Sequence, residues 1–239
     1  MIDVRKSNTR GVANHGWLNS KHTFSFGEYY NPQQQGFSDL LVINDDQVQA
    51  AKGFATHGHN DMEIFSYVLQ GALAHKDSMG TGSEIKPGDV QMMSAGTGIR
   101  HSEFNASADE LVHFLQIWIV PNQQNVKPRY QQVHFDEASK RGRLRLIISP
   151  DGQDGSLSVY QDAKVYAGLF DGDESADYKF AENRYGYVQV ARGELVISGY
   201  RFEAGDGARI RAQDVISFSK GKQAEVLLFD LRPIERPYA

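Results

Sequence analysis

The sequence predicts an all-β protein made of two similar β units in tandem. Three observations support this. Short runs rich in Val, Ile, Phe and Tyr recur between Gly, Pro, Asn and Asp, as expected of short strands closed by turns. Long stretches of helical period are missing. One segment of the first half is echoed in the second. At roughly 150 residues per domain, 239 residues allow one large domain or two modest ones. With 40% hydrophobic and 23% charged residues the chain has the composition of an ordinary folded protein.

In chain order, strands are expected at 40–44, 64–70, 90–93, 111–120 and 144–148, then at 165–170, 185–190, 195–198 and 226–231. The best helical candidate is a turn or two at 135–140, where Asp136 is placed to cap. It lies in a polar stretch that also holds Pro121, Pro128 and Arg141-Gly142-Arg143, which marks the linker. The expected division is therefore 1–134, a linker at 135–144, and 145–239. The repeat pairs the apolar run Tyr67-Val68-Leu69-Gln70-Gly71 with Val188-Gln189-Val190-Ala191-Arg192-Gly193. Each copy then reaches a Gly-Asp turn, Gly88-Asp89 in the first and Gly205-Asp206 in the second.

Composition also excludes chemistry. With no cysteine, there can be no disulfide, thiolate nucleophile or iron–sulfur centre, so any metal must be held by nitrogen and oxygen. A net charge of -5 gives no general cationic field for phosphates, so direct nucleic-acid binding is not expected. The first residues lack an apolar core and no run approaches the ~18 apolar residues of a membrane span. A cytoplasmic protein without membrane contact is the expectation, with a monomer preferred.

The chemistry-bearing residues form two pairs. Gly53-Phe54-Ala55-Thr56-His57-Gly58-His59 places two histidines two apart, and side chains at that spacing on a strand share a face. Alone, the pair would be weak evidence. Gly96-Thr97-Gly98-Ile99-Arg100-His101-Ser102-Glu103 repeats the spacing with His101 and Glu103. Three imidazoles and one carboxylate suit Fe, Mn, Ni, Co, Cu or Zn, and four protein donors on an octahedral ion leave two positions open.

These two segments, at 53–71 and 87–105, resemble the two cupin motifs, and the surrounding sequence resembles the pirin family. Arg10-Gly11, His15-Gly16-Trp17-Leu18, His22-Thr23-Phe24-Ser25-Phe26, Tyr29-Tyr30-Asn31-Pro32, Asp77-Ser78-Met79-Gly80 and Gln116-Ile117-Trp118 carry that resemblance through most of the first 130 residues. Within the family the chain most resembles the bacterial pirin-like quercetin 2,3-dioxygenases. The resemblance implies a bicupin, two tandem jelly-roll barrels, with one divalent metal in the N-terminal barrel. It places the ligands at His57, His59, His101 and Glu103, with iron as the expected ion and Mn, Ni, Co, Cu or Zn as alternatives. Glu63, at a position that is a ligand in many other cupins, is assigned instead to a structural hydrogen bond or to contact with a ligand. Gly58 stands where the commonest pirin form has Pro, which could loosen the ligand strand but leaves the ligand set intact.

In the second unit, the positions matching His57, His59 and Glu63 are Lys179, Ala181 and Tyr185, and no histidine follows His134. That unit cannot build a histidine centre, so packing, shielding of the cavity or partner binding is its expected role. His75 and His113 are read as satisfied core or rim histidines, with a hydrogen bond to a ligand as the alternative. Gln116, polar in an apolar strand, is expected either beside the ligands or at the rim. Trp17, Phe24 and Phe26 are wall candidates for an aromatic-binding pocket by resemblance, with core packing the more ordinary role. The basic cluster Arg141-Gly142-Arg143-Leu144-Arg145 is expected to be solvated.

The function implied by the resemblance is a metal-dependent dioxygenase that opens the ring of a flavonol such as quercetin with release of carbon monoxide. Glu103 would be a ligand that, on loosening from the metal, accepts the substrate's proton, and the partners would be a small aromatic substrate and dioxygen. Two other readings stay open. One is a pirin-type metal- and redox-sensing protein that binds a transcription-related protein partner. The other is a cupin isomerase using the ion only as a Lewis acid.

Overall fold

The computed structural model describes residues 1–236. The first half forms β1 (Ile2–Arg5), β2 (Gly11–Asn14), β3 (Leu18–His22), β4 (Leu40–Val48), β5 (Gly53–His59) and β6 (Glu63–Gln70). It continues through β7 (Leu73–Asp77), β8 (Gly82–Ile85), β9 (Asp89–Ser94), β10 (Ile99–Asn105), β11 (Val112–Ile119) and β12 (Arg129–His134). A short α-helical turn, α1 (Glu137–Lys140), follows, and the Asp136 side chain accepts the Ser139 backbone N–H at 2.7 Å as the capping expectation requires. The second half adds β13 (Leu144–Ser149), β14 (Leu157–Ser158), β15 (Lys164–Phe170), β16 (Ala176–Lys179), β17 (Tyr185–Ile197), β18 (Tyr200–Glu203), β19 (Gly207–Ile210) and β20 (Val215–Leu231). The strands expected at 185–190 and 195–198 are one strand, β17, bent by three register shifts against β20 rather than cut by a turn.

The first unit is a sandwich of a seven-stranded sheet, in the order β12-β9-β6-β11-β4-β3-β2, and a four-stranded sheet, β5-β10-β7-β8. The second is built on one nine-stranded sheet. This is the bicupin all-β fold, and the repeat seen in the sequence recurs in its geometry. Gly88 (φ 94°) and Gly205 (φ 86°) each hold a backbone conformation that favours glycine. The next residue closes the same turn in both units: the Lys86 N–H donates to Asp89 Oδ2 at 2.9 Å and the Glu203 N–H to Asp206 Oδ2 at 3.0 Å.

Strand parity decides what each face of the seven-stranded sheet does. Phe65, Tyr67 and Leu69 of β6 and Leu115, Ile117 and Ile119 of β11 face the second unit. There they join Ile147, Val165, Leu227 and Phe229 in the largest buried cluster. The alternating set faces into the first barrel. Ile64, Met93 and partly buried Trp118 belong to an apolar cluster at one end, and Val68 and Phe114 to another cluster at the other end. Between these ends runs a polar row across five strands: His22, Asn44, Gln116, Ser66 and Gln91 are successive register partners from β3 to β9. Because β6 and β11 are buried on both faces, they read in sequence as apolar runs without clean alternation.

The chain also ties its halves together at both ends. Strand β1 pairs with β19, so residues 2–5 complete the sheet of the second unit, while Arg232 grips Asp39 through two bonds of 2.6 and 2.8 Å. Phe24, expected as a candidate wall for the aromatic pocket, is in this inter-unit core against Tyr187, at 5.6 Å between ring centroids. Among the described residues no helix is long and apolar enough to cross a membrane.

Candidate metal centre

Strand β5 is the edge of the four-stranded sheet and pairs with β10, where His57 and His101 are direct register partners. The pairing shifts register between His101 and Glu103, a bulge of the kind that re-aims side chains at binding sites. On the other side, β10 pairs with β7, placing Asp77 opposite His101 and His75 opposite Glu103. Three strands thus bring six polar side chains together.

The imidazoles converge tightly. His101 Nε2 lies 3.1 Å from both His57 Nε2 and His59 Nε2. His57 Nδ1 is 2.8 Å from the Ala55 carbonyl, so its proton belongs there and Nε2 carries a lone pair. Burial, with His57 nearby, lowers the His59 pKa to about 4. Burial among His57, His59 and His75 lowers that of His101 to about 3. Imidazole nitrogens gathered at 3.1 Å, two of them on rings whose burial disfavours the protonated form, are the donor set that a cation between them would complete. Two nitrogens bound at right angles to one ion at ~2.1 Å stand ~3.0 Å apart, so the residues present fit a metal.

Glu103 is brought to His101 and His75 rather than into the tight triad: one ligand atom from each of His57, His59 and His101 forms one group, and His75, His101 and Glu103 form a second, with atoms within 4.8 Å in each. Its carboxylate is fully buried and oriented from behind. Gln116 Nε2 donates to Oε2 at 2.7 Å and Ser66 Oγ to Oε1 at 3.2 Å. Burial raises the Glu103 pKa, while neighbouring histidines and these two donors oppose the rise. Gln116 therefore sits beside the carboxylate rather than at the rim.

His75 is buried and satisfied by Asp77 at 3.1 Å, as expected of a core histidine, yet its Nδ1 is also 3.5 Å from His101 Nδ1. Asp77 Oδ1 accepts the backbone N–H groups of Met79 and Thr81, which fixes the side chain that faces His75 Nε2. His113 is remote, facing outward to Asp45 at 2.6 Å. Glu63 is also outside the centre. Its place in β6 puts it on the face turned to the second unit, where it accepts Ser94 Oγ at 3.0 Å and the Tyr160 N–H at 3.2 Å, and burial raises its pKa to about 7.

The centre opens on a cavity of about 1460 Å³ that His57, His59 and Glu103 help to line. This exceeds the roughly 300–1000 Å³ of common small-molecule pockets. Its apolar walls include Trp17, Phe26, Phe54 and Trp118, with the edge of Trp118 against His59 at 4.9 Å between ring centroids. Ser20, His22, Asn44 and Asp46 also line it, and no sequence argument singled them out as site residues.

Fold and site together define a bicupin with a single histidine-rich centre in its first barrel. The sequence model of the family described as Pirin matches residues 3–119, and that of the quercetinase C-terminal cupin domain matches residues 146–231. The chain is 48% identical over 234 residues to a quercetin 2,3-dioxygenase of Escherichia coli, covering 98% of this chain and 100% of that protein. It is 37% identical to a pirin-like protein of Caulobacter vibrioides, covering 96% and 99%. The crystal structure of bacterial pirin YhhW from Escherichia coli in complex with nickel(II) superposes with a TM-score of 0.93 at 47% identity, covering 98% of this chain and all of that one. The chain belongs to the pirin family.

Proposed function

We propose that this chain is a metal-dependent dioxygenase that opens the ring of flavonols such as quercetin, holding one divalent ion on His57, His59, His101 and Glu103. The observation that carries the reading is the convergence of three imidazoles, with His101 Nε2 3.1 Å from each of the other two, in the wall of a large, aromatic-lined cavity. The names of the Escherichia coli relatives supply the substrate class. Iron is the ion we assign, and nickel, bound by the relative in its crystal structure, is the second candidate. We take 1–134 as the catalytic unit, apart from residues 2–5, which pair into the sheet of the second unit, with 135–144 as the linker and 145–239 as the covering unit, in a cytoplasmic protein.

When bound, the ion would act as a Lewis acid that acidifies the substrate's 3-hydroxyl. The remaining work falls to the chain. The aromatic walls orient the flat substrate and exclude water. Glu103 accepts the hydroxyl proton at a carboxylate oxygen, and its buried setting favours holding that proton. Gln116 and Ser66 fix the carboxylate so that the transfer has a defined direction. The balanced outcome is one flavonol and one dioxygen consumed, with one depside and one carbon monoxide formed. The test is metal content and dioxygen uptake with quercetin, in the wild type and in His57→Ala, His59→Ala, His101→Ala and Glu103→Ala. Loss of metal and of uptake together in the histidine variants is expected. Full metal content in His101→Ala would overturn the ligand assignment, and metal-loaded wild type without uptake would favour the metal-sensing protein.

A further inference from the structure

On the seven-stranded sheet, the cavity carries a second polar group that the centre does not use. Ser20 and His22 of β3 and Asn44 and Asp46 of β4 all line the cavity and are buried, none more than 5% exposed. His22 and Asn44 satisfy one another, with His22 Nδ1 2.8 Å from Asn44 Oδ1. Asp46 is only half resolved: Ser20, its register partner on β3, hydrogen-bonds to its carboxyl group, yet its Oδ1 is buried without a hydrogen-bond partner. Its row makes this costly, because its register partner on β11 is Phe114, and Val68 lies beyond that. An unpartnered oxygen on a buried carboxyl group, with apolar residues on its β11 side and only Ser20 on its β3 side, is a feature that needs a donor to complete it.

The placement says what the donor belongs to. Asp46 is one inward-facing step along β4, about 6.6 Å, from Asn44, whose row leads through Gln116 to Glu103. It therefore addresses the part of a bound molecule beyond the atoms held at the centre. We infer that Asp46 is a specificity-determining residue that accepts a hydrogen bond from a second phenolic hydroxyl of the substrate, selecting polyhydroxylated aromatics over those that carry only the chelating oxygens. This rests on the flavonol reading above.

The experiment is anaerobic binding to the metal-loaded full chain, so that nothing is turned over. Its two probes are quercetin and a flavonol bearing only the 3-hydroxyl and the 4-carbonyl. The wild type should bind quercetin more tightly. In Asp46→Ala, quercetin affinity should fall about 2- to 10-fold, the range for a lost hydrogen bond between neutral groups, and the ratio of the two dissociation constants should collapse. Asp46→Asn, which keeps the shape and one acceptor oxygen, should retain part of the ratio and decides the matter if the alanine variant does not fold. A ratio unchanged in the folded variants, equal loss for both probes, or a wild type that binds both equally would overturn the inference and leave the flavonol reading standing. A wild type that binds neither probe would overturn both.

Discussion

Replacing Gln116 with Leu removes the strongest single support of Glu103 while approximately conserving volume. The bond lost is 2.7 Å long, donated by a buried amide to a fully buried carboxylate. A hydrogen bond to a charged group contributes about 1.5–3 kcal/mol, and the remaining donor, Ser66 at 3.2 Å, is longer and on the other oxygen. If Glu103 is a ligand, that loss appears as metal affinity weakened about 10- to 100-fold, as for other residues that orient a ligand from behind. The direction with pH follows. Burial raises the Glu103 pKa and Gln116 opposes it, so removing Gln116 raises it further, and the variant must release its metal at a higher pH than the wild type. Competition with a chelator, measured by bound metal across a pH series, reads both effects. Affinity within twofold of the wild type, with an unmoved pH limb, would refute the claim that Gln116 positions a metal-binding carboxylate.

Other perturbations separate the centre from its surroundings. His75→Phe leaves His101 Nδ1 without its neighbour and should weaken metal binding about 10-fold, measured by the same competition, while leaving the β7–β10 pairing intact by circular dichroism. Glu63→Gln should keep full metal content by elemental analysis, because Glu63 faces the second unit rather than the centre. Asp46→Asn should change how metal-free stability depends on pH. Burial raises the Asp46 pKa from 3.8 to about 7, so the folded chain keeps a proton that the unfolded chain releases, and wild-type stability falls as pH rises through that window. At about 1.4 kcal/mol per pH unit, the asparagine variant should gain up to about 3 kcal/mol on the wild type between pH 5 and pH 8 in denaturant melts. An equal difference at both pH values would contradict the assignment.

Much of the centre was legible in the sequence because its key residues obey a local rule. A spacing of two on a strand puts His57 with His59, and His101 with Glu103, whatever the rest of the fold does. Glycine turns and apolar runs likewise marked most long strands. What escaped depends on register between strands distant in sequence. His75 reaches His101 only because β7 lies beside β10, and Asp45 and Asp46 look alike until β4 is paired with its neighbours. Then one meets Arg10 and His113 outside the barrel and the other faces the cavity. The pairing of β1 with β19 spans about two hundred residues and has no local signature. Edge strands such as β2, β8 and β12 are too polar or short to stand out. Phe24, whose more ordinary reading as a core residue holds, shows a related limit: an aromatic residue in a family-like segment does not reveal whether it faces a cavity or the second unit.

The most direct test of the central claim is the stoichiometry of turnover by the full chain, stripped of metal and reconstituted separately with Fe(II), Mn(II), Ni(II), Co(II), Cu(II) and Zn(II). Quercetin loss, dioxygen uptake and carbon monoxide release should run one to one to one with at least one of these ions, and the metal-free chain should show none of the three. Stable binding of every ion with no dioxygen uptake would contradict the account and leave a metal-binding protein without this chemistry.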